Sequence, residues 1–142
     1  MPHSDLDATE LEPLLPDQVT GQVTTVVDEA DTAQTMGSGD VPVLSTPRVL
    51  ALAEAATMAA LTRRIPTRLS TVGIEATLRH VRAVPVGDRV IAKVVLRQRD
   101  GSRLTFDFSL TTAEADPVAD GSIVRQLVDR EDFLARVRGD AD

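Results

Sequence analysis

The amino-acid sequence predicts an α+β domain in which an antiparallel sheet wraps around one central helix. Three observations carry this. A single long apolar stretch of helical character begins near Thr46, one β-branched segment precedes it, and nearly everything after Ser70 alternates with a period of two between turn signals. At 142 residues and 42% hydrophobic content the chain suits one domain. A chain of this size buries only about two-thirds of its unfolded surface, so it gains from pairing with a second copy. Residues 1–15 hold Pro2 and Pro13 among Asp and Glu and read as a mobile acidic arm, leaving 16–142 as the domain.

Taken in order, V-T-G-Q-V-T-T-V-V at Val19 to Val27 is the first strand, because β-branched side chains fit a pleated surface. D-E-A-D-T-A-Q-T-M-G-S-G-D follows as a polar, glycine-bearing loop of the kind that covers a site. Thr46-Pro47 then opens the helix, with threonine as N-cap and proline at the first helical position, and the helix runs to about Arg63 or Arg64. In I-E-A-T-L-R-H, period-two alternation places Ile74, Ala76, Leu78 and His80 on the inward face. Pro85 to Asp88 is a turn, and Val90, Ala92, Val94 and Leu96 point inward along the next strand. Asp100-Gly101 makes a hairpin, after which Leu104, Phe106, Phe108 and Leu110 alternate inward. D-P-V-A-D-G reads as a further polar turn before a last strand, S-I-V-R-Q-L-V, and a short helix starts near Arg130.

Composition excludes several function classes. No stretch approaches the ~18 to 20 apolar residues of a membrane span. The start M-P-H-S-D-L-D lacks the basic and apolar regions of a signal peptide, so a cytoplasmic location is expected. Without cysteine there is no disulfide, thiolate nucleophile or zinc-thiolate site, and two distant histidines offer a metal few ligands; neither metal nor cofactor is expected. A net charge of −7 and the absence of Trp and Tyr argue against nucleic acid. The charge is uneven: residues 1–31 carry eight acidic and no Lys or Arg residues, whereas 63–103 carry ten basic against three acidic. Arg63, Arg64 and Arg68 could meet the phosphates of a small anionic ligand, although such charges more often only cover surface.

Glu54 is the only charged residue in V-L-A-L-A-E-A-A-T-M-A-A-L, between Val49 and Leu61. A carboxylate buried there would cost several kcal/mol unless compensated, and replacing it with neutral Gln would then stabilise the fold. His80 falls on an inward strand position, and Thr46 lies two turns before Glu54. A hydroxyl, a carboxylate and an imidazole that converge on one cleft could perform acid–base or nucleophilic chemistry. Each has a plainer reading: Thr46 as a cap, His80 as a hydrogen-bonded core residue, Gly73 as a strand bulge and Arg125 as an outer-face charge.

These residues stand in a recognisable order. Thr46 precedes Glu54 by eight positions, Gly73 precedes His80 by seven, H-V-R-A-V-P-V-G-D-R-V leads from His80 through a turn into a long strand, and G-S-I-V-R carries Arg125. From about Pro16 to Val137 the chain resembles the fluoroacetyl-coenzyme A thioesterase family of the hotdog superfamily. The resemblance implies a hotdog fold and hydrolysis of a small acyl-coenzyme A thioester, with Thr46, Glu54 and His80 catalytic and Gly73 and Arg125 shaping the acyl pocket. His80 would activate water or protonate the leaving thiolate, Glu54 would attack or act as base, and Thr46 would donate to the carbonyl oxygen or orient Glu54. It also implies a homodimer, or dimer of dimers, with coenzyme A bound between subunits. One departure stands out: M-G-S-G-D-V-P-V-L, with Gly37 and Asp40, occupies the segment where the family's fluoroacetyl-specific member has a phenylalanine lid. Two other readings remain, a binding module that holds an acyl thioester without cleaving it and a hotdog hydratase. The hydratase ranks lower because its aspartate and histidine lie close together on one segment.

Overall fold

The computed structural model describes Leu15 and residues 18–139, so the acidic arm lies outside the described residues apart from Leu15, which is packed in the core. Strand β1 spans Thr20–Val26, a 3-10 turn spans Glu29–Asp31, and helices α1 (Ala33–Met36) and α2 (Thr46–Leu61) follow. Four long strands come next, β2 (Leu69–His80), β3 (Arg89–Asp100), β4 (Arg103–Thr112) and β5 (Pro117–Asp129), before helix α3 (Arg130–Arg138). All pairings are antiparallel, in the order β1-β3-β4-β5-β2, which leaves β1 and β2 as edges. No helix among the described residues is long and apolar enough to cross a membrane.

The concave face of this sheet closes on α2. Val49, Leu52, Ala53, Ala56 and Ala60 of the helix meet Val90, Ala92, Phe106, Phe108 and Ile123 in one buried cluster. The inward residues expected on β3 and β4 are where alternation put them. Gly21 lets the helix come close, since a Cβ there would lie 2.5 Å from the Ala56 carbonyl oxygen and 2.6 Å from the Ala60 nitrogen.

Four expectations need correction. The N-cap of α2 is Ser45, whose extended backbone and hydroxyl serve the Arg48 amide at 3.1 Å; Thr46 and Pro47 are the first two helical residues. The run S-T-P supports either register, and the one adopted frees the Thr46 hydroxyl from capping. The loop after β1 is more ordered than its polarity suggested: Asp28 and Asp31 form a reciprocal capping box, and Thr32 caps α1 through the Thr35 amide. D-P-V-A-D-G is no turn. Its Val118 and Ala119 are buried within β5, the actual turn being at Thr112–Asp116. Gly121 stands in the strand because the Thr77 carbonyl and the Phe108 ring leave no room for a side chain.

The fourth correction concerns β2. Its register against β5 shifts between Gly73 and Glu75, so Ile74 is an extra, bulged residue and is 46% exposed, not inward. Thr71 and Gly73 share the inward face before the bulge; Ala76, Leu78 and His80 share it afterwards. Their partners, Leu127 and Arg125 on one side and Ile123, Gly121 and Ala119 on the other, fix this phase.

Candidate active site

Two groups of polar side chains sit against α2. The first lies at its start. The Val43–Pro85 bridge and the bond from the Leu44 amide to the Val84 carbonyl (2.8 Å) tie the chain before α2 to the chain after β2, and the Thr32–Leu44 bridge braces the former against the loop after β1. Thr46 and His80 are thereby brought together, Thr46 Oγ1 lying 2.8 Å from His80 Nδ1. The other imidazole nitrogen, Nε2, is buried and has no hydrogen-bond partner among the described residues. Burial holds the His80 pKa below its ordinary value of 6.5, the Arg82 backbone opposing this in part, which favours the neutral ring. A cavity of about 410 Å³ adjoins the pair; Ala33, Gly39, Val41, Val43 and Arg82 help line it.

The second group lies midway along the helix. The Glu54 carboxylate reaches over Gly73, where a Cβ would come within 2.7 Å of Glu54 Oε2. Glycine at this point is a matter of space for the carboxylate. Arg125, paired with Gly73 across the strands, places Nη1 3.5 Å from Glu54 Oε2. Its guanidinium is buried and donates from Nε to Thr71 Oγ1 at 2.7 Å and from Nη2 to the Thr71 carbonyl at 3.0 Å. Burial lowers the Arg125 pKa and the Glu54 charge opposes that; the group remains a cation.

Glu54 itself is not buried. Its side chain is 43% exposed, because β2 is an edge strand and no element among the described residues covers the helix face above it. The buried cation Arg125, not the carboxylate, is the group that needs a partner. Arg63, Arg64 and Arg68 follow the helix and do not line the cavity beside His80.

Thr46 therefore meets His80, and Glu54 meets Gly73 and Arg125, but the groups stand apart within the chain. Eight helical residues separate Thr46 from Glu54, about 12 Å of rise, and six strand positions separate His80 from Gly73, about 20 Å. Sequence reasoning missed Thr71. A threonine two residues before Gly73, on the same inward face, was the available signal; the bulge, weighed in the sequence only as the plainer reading of Gly73, hid it by shifting the phase of the strand.

The chain matches the family model described as fluoroacetyl-CoA-specific thioesterase over residues 27–131. No curated protein sequence matches it. Among solved structures it resembles a variant of the fluoroacetyl-CoA thioesterase in complex with acetyl-CoA, at 21% identity and TM-score 0.82 over 90% of this chain and 100% of that one. A hot-dog-like protein from Thermanaerovibrio acidaminovorans aligns at 20% identity and TM-score 0.82, covering 92% and 96% of the two chains. A Thermus thermophilus thioesterase superfamily member aligns at 19% and 0.80, covering 87% and 90%. At these identities the structural likeness establishes the hotdog fold. The family match, extending over well more than half of the sequence, places this chain in the fluoroacetyl-CoA-specific thioesterase family.

Proposed function

We propose that the protein hydrolyses a small acyl-coenzyme A thioester to the free acid and coenzyme A, as a homodimer. Each site combines Thr46 and His80 of one chain with Glu54, Gly73 and Arg125 of the other. Membership of a thioesterase family supports the reaction. The observation that carries the shared site is the parity of β2. Among the described residues this twelve-residue edge strand is paired on one side only, with β5, and an antiparallel two-fold pairing with a second copy would satisfy the other side. With the axis at Thr77, Leu78 falls opposite Ala76 of the partner subunit and His80 opposite Gly73 of the partner subunit. Residues directly opposite share a face. Gly73 and His80 differ by an odd number and would face opposite ways on a regular strand; the extra residue Ile74 gives them the same face.

The chemistry follows from the two groups. His80 donates from Nδ1 to Thr46, whose own proton is then free for the thioester carbonyl oxygen and its developing charge. That tautomer leaves Nε2 as an acceptor, and the lowered pKa keeps it so at neutral pH. Glu54, held by Arg125, either attacks the carbonyl and expels the coenzyme A thiolate, or acts as base toward a water that does so. In the first route His80 Nε2 takes the proton of the water that opens the resulting anhydride. A single turnover in ¹⁸O-labelled water tests them: label enters the Glu54 carboxylate only when water opens an anhydride at the Glu54 carbonyl, whereas direct attack of water on the thioester leaves Glu54 unlabelled.

Thiol release over a panel of acyl-coenzyme A thioesters tests the reaction. Binding without release would establish the non-catalytic module instead. Mixed dimers test the shared site: Glu54→Gln and His80→Ala chains are each inactive alone, yet mixing them restores one intact site per heterodimer, about a quarter of parental activity for random pairing. No recovery in confirmed heterodimers would mean that each site is built within one chain.

A further inference from the structure

We infer that Thr71 is a positioning residue for the Glu54 carboxylate and acts on it through Arg125. The inference rests on the thioesterase reading above and adds to it a residue that neither the motif nor the family likeness singles out. A guanidinium is a rigid planar fork, so fixing two of its nitrogens fixes the direction of the third. Thr71 fixes two: its hydroxyl accepts from Arg125 Nε at 2.7 Å and its carbonyl from Nη2 at 3.0 Å. Nη1 is left aimed at Glu54 Oε2, 3.5 Å away.

The Thr71 hydroxyl is itself oriented. Having accepted from Arg125, it directs its own proton toward Met58 Sδ at 3.6 Å, and Met58 lies one turn beyond Glu54 on α2. Glu54, Arg125, Thr71 and Met58 thus form a circuit that leaves the helix and returns to it. Thr71 is 4% exposed and Arg125 7%, so water does not compete for these bonds, whereas Glu54 at the open end is half-exposed and would wander without the clamp. β-branching limits Thr71 to few rotamers, so the hydroxyl is held where Nε needs it. Arg125 on this account does not need to touch the acyl group.

Thr71→Val keeps shape and β-branching and deletes the hydroxyl; Thr71→Ser keeps the hydroxyl. A misdirected catalytic group costs up to about 10²-fold, so Thr71→Val should lower kcat at least about tenfold with KM unchanged. Thr71→Ser should stay within about twofold of the parent, and in a Glu54→Gln background Thr71→Val should have no further effect, as expected for residues acting as one unit. Arg125→Lys, which retains charge but not the fork, should reproduce the kcat loss and guards against a Thr71→Val chain that fails to fold. Parental kcat in Thr71→Val overturns the inference. So does an equal loss with or without Glu54, which means general structural damage, or a rise in KM alone, which means substrate contact. If the parent releases no thiol from any thioester, the functional reading fails. The positional claim is then decided by a crystal structure of Thr71→Val, where an undisturbed Arg125–Glu54 pair overturns it and a displaced one supports it.

Discussion

Helix α2 has two working faces that follow different rules. Toward β1 and β3, Ala53, Ala56 and Ala60 are fully packed, and Gly21 approaches so closely that its missing side chain is a requirement of space. Toward β2, Glu54 is half-exposed, Met58 is 38% exposed, and the nearby glycine, Gly73, makes room for a carboxylate and not for the helix. One face fixes the helix on the sheet; the other is held by a few directed polar contacts and stays open. Changes on the first should therefore register in stability and changes on the second in turnover.

The largest effects should fall on the open face and its counterpart at the helix start. Thr46→Ala, Glu54→Gln and His80→Ala should each lower kcat/KM by about 10² or more while the protein stays folded, as for loss of a positioned donor, nucleophile or base. Steady-state kinetics beside circular dichroism check this, and parental turnover in Glu54→Gln would end the site assignment. A burial argument from sequence makes Glu54→Gln stabilising. The structure reverses the sign, because the carboxylate is partly solvated and its loss removes a partner from buried Arg125.

On the packed face, Gly21→Ala should cost about 1 to 3 kcal/mol of stability, the usual penalty of overpacking, because backbone atoms of Ala56 and Ala60 block the added methyl. Turnover per folded molecule should be unchanged. Its counterpart Gly73→Ala should do the reverse, displacing the end of a flexible Glu54 side chain and lowering kcat about tenfold with little change in Tm. Denaturation curves paired with kinetics decide the contrast; a Gly73→Ala chain as destabilised as Gly21→Ala would mean that the two faces are packed alike.

A milder test is pH. Burial lowers the His80 pKa, so the neutral base should persist below pH 6.5 and the acid limb of kcat/KM should have its midpoint below that value. The folded state disfavours the proton relative to the unfolded chain, so the linked destabilisation is absent well above pH 6.5 and grows as pH falls through it. An acid limb at or above 6.5 would remove His80 as a desolvated base.

Much of this was legible in the sequence where a pattern repeats. Leu104, Phe106, Phe108 and Leu110 alternate without interruption and face the core as the pattern predicts, and β3 and β4 pair through the Asp100-Gly101 hairpin; β2, which the Pro85–Asp88 turn joins to β3 in sequence, does not lie beside it but pairs with β5. Besides the partner of β2, what escaped were single-residue events. The bulge at Ile74 is one extra residue whose only signal is the neighbouring Gly73, where a bulge was one of two readings, yet it decides which side chains of β2 face inward. Gly121 was mistaken for a turn because a glycine needed for close approach looks, in sequence, like a glycine needed for bending. The separation of Thr46 and His80 from Glu54 was also invisible, since eight residues of helix and seven of strand say nothing about whether their ends meet within one chain or across two.

The smallest expected effect is substrate discrimination at the helix start, where the cavity wall beside Thr46 and His80 includes Ser38, Gly39 and Val41 and, among the described residues, no phenylalanine. Gly37 and Gly39 are exposed, and the chain's phenylalanines lie elsewhere: Phe106 and Phe108 are in the core and Phe133 is on α3. A small polar wall cannot strip water from a two-carbon acyl group as a ring would. Even a well-built pocket separates groups of such similar size by only about 1 to 3 kcal/mol. The kcat/KM values for fluoroacetyl and acetyl thioesters should therefore agree within about tenfold, with a longer acyl chain preferred to either in a cavity of this volume. Parallel measurements on the three thioesters decide it. A fluoroacetyl preference above about 10³ would exceed what size discrimination supplies, and selectivity would then have to arise from the polar groups of the site, with Glu54 and Arg125 the first to vary.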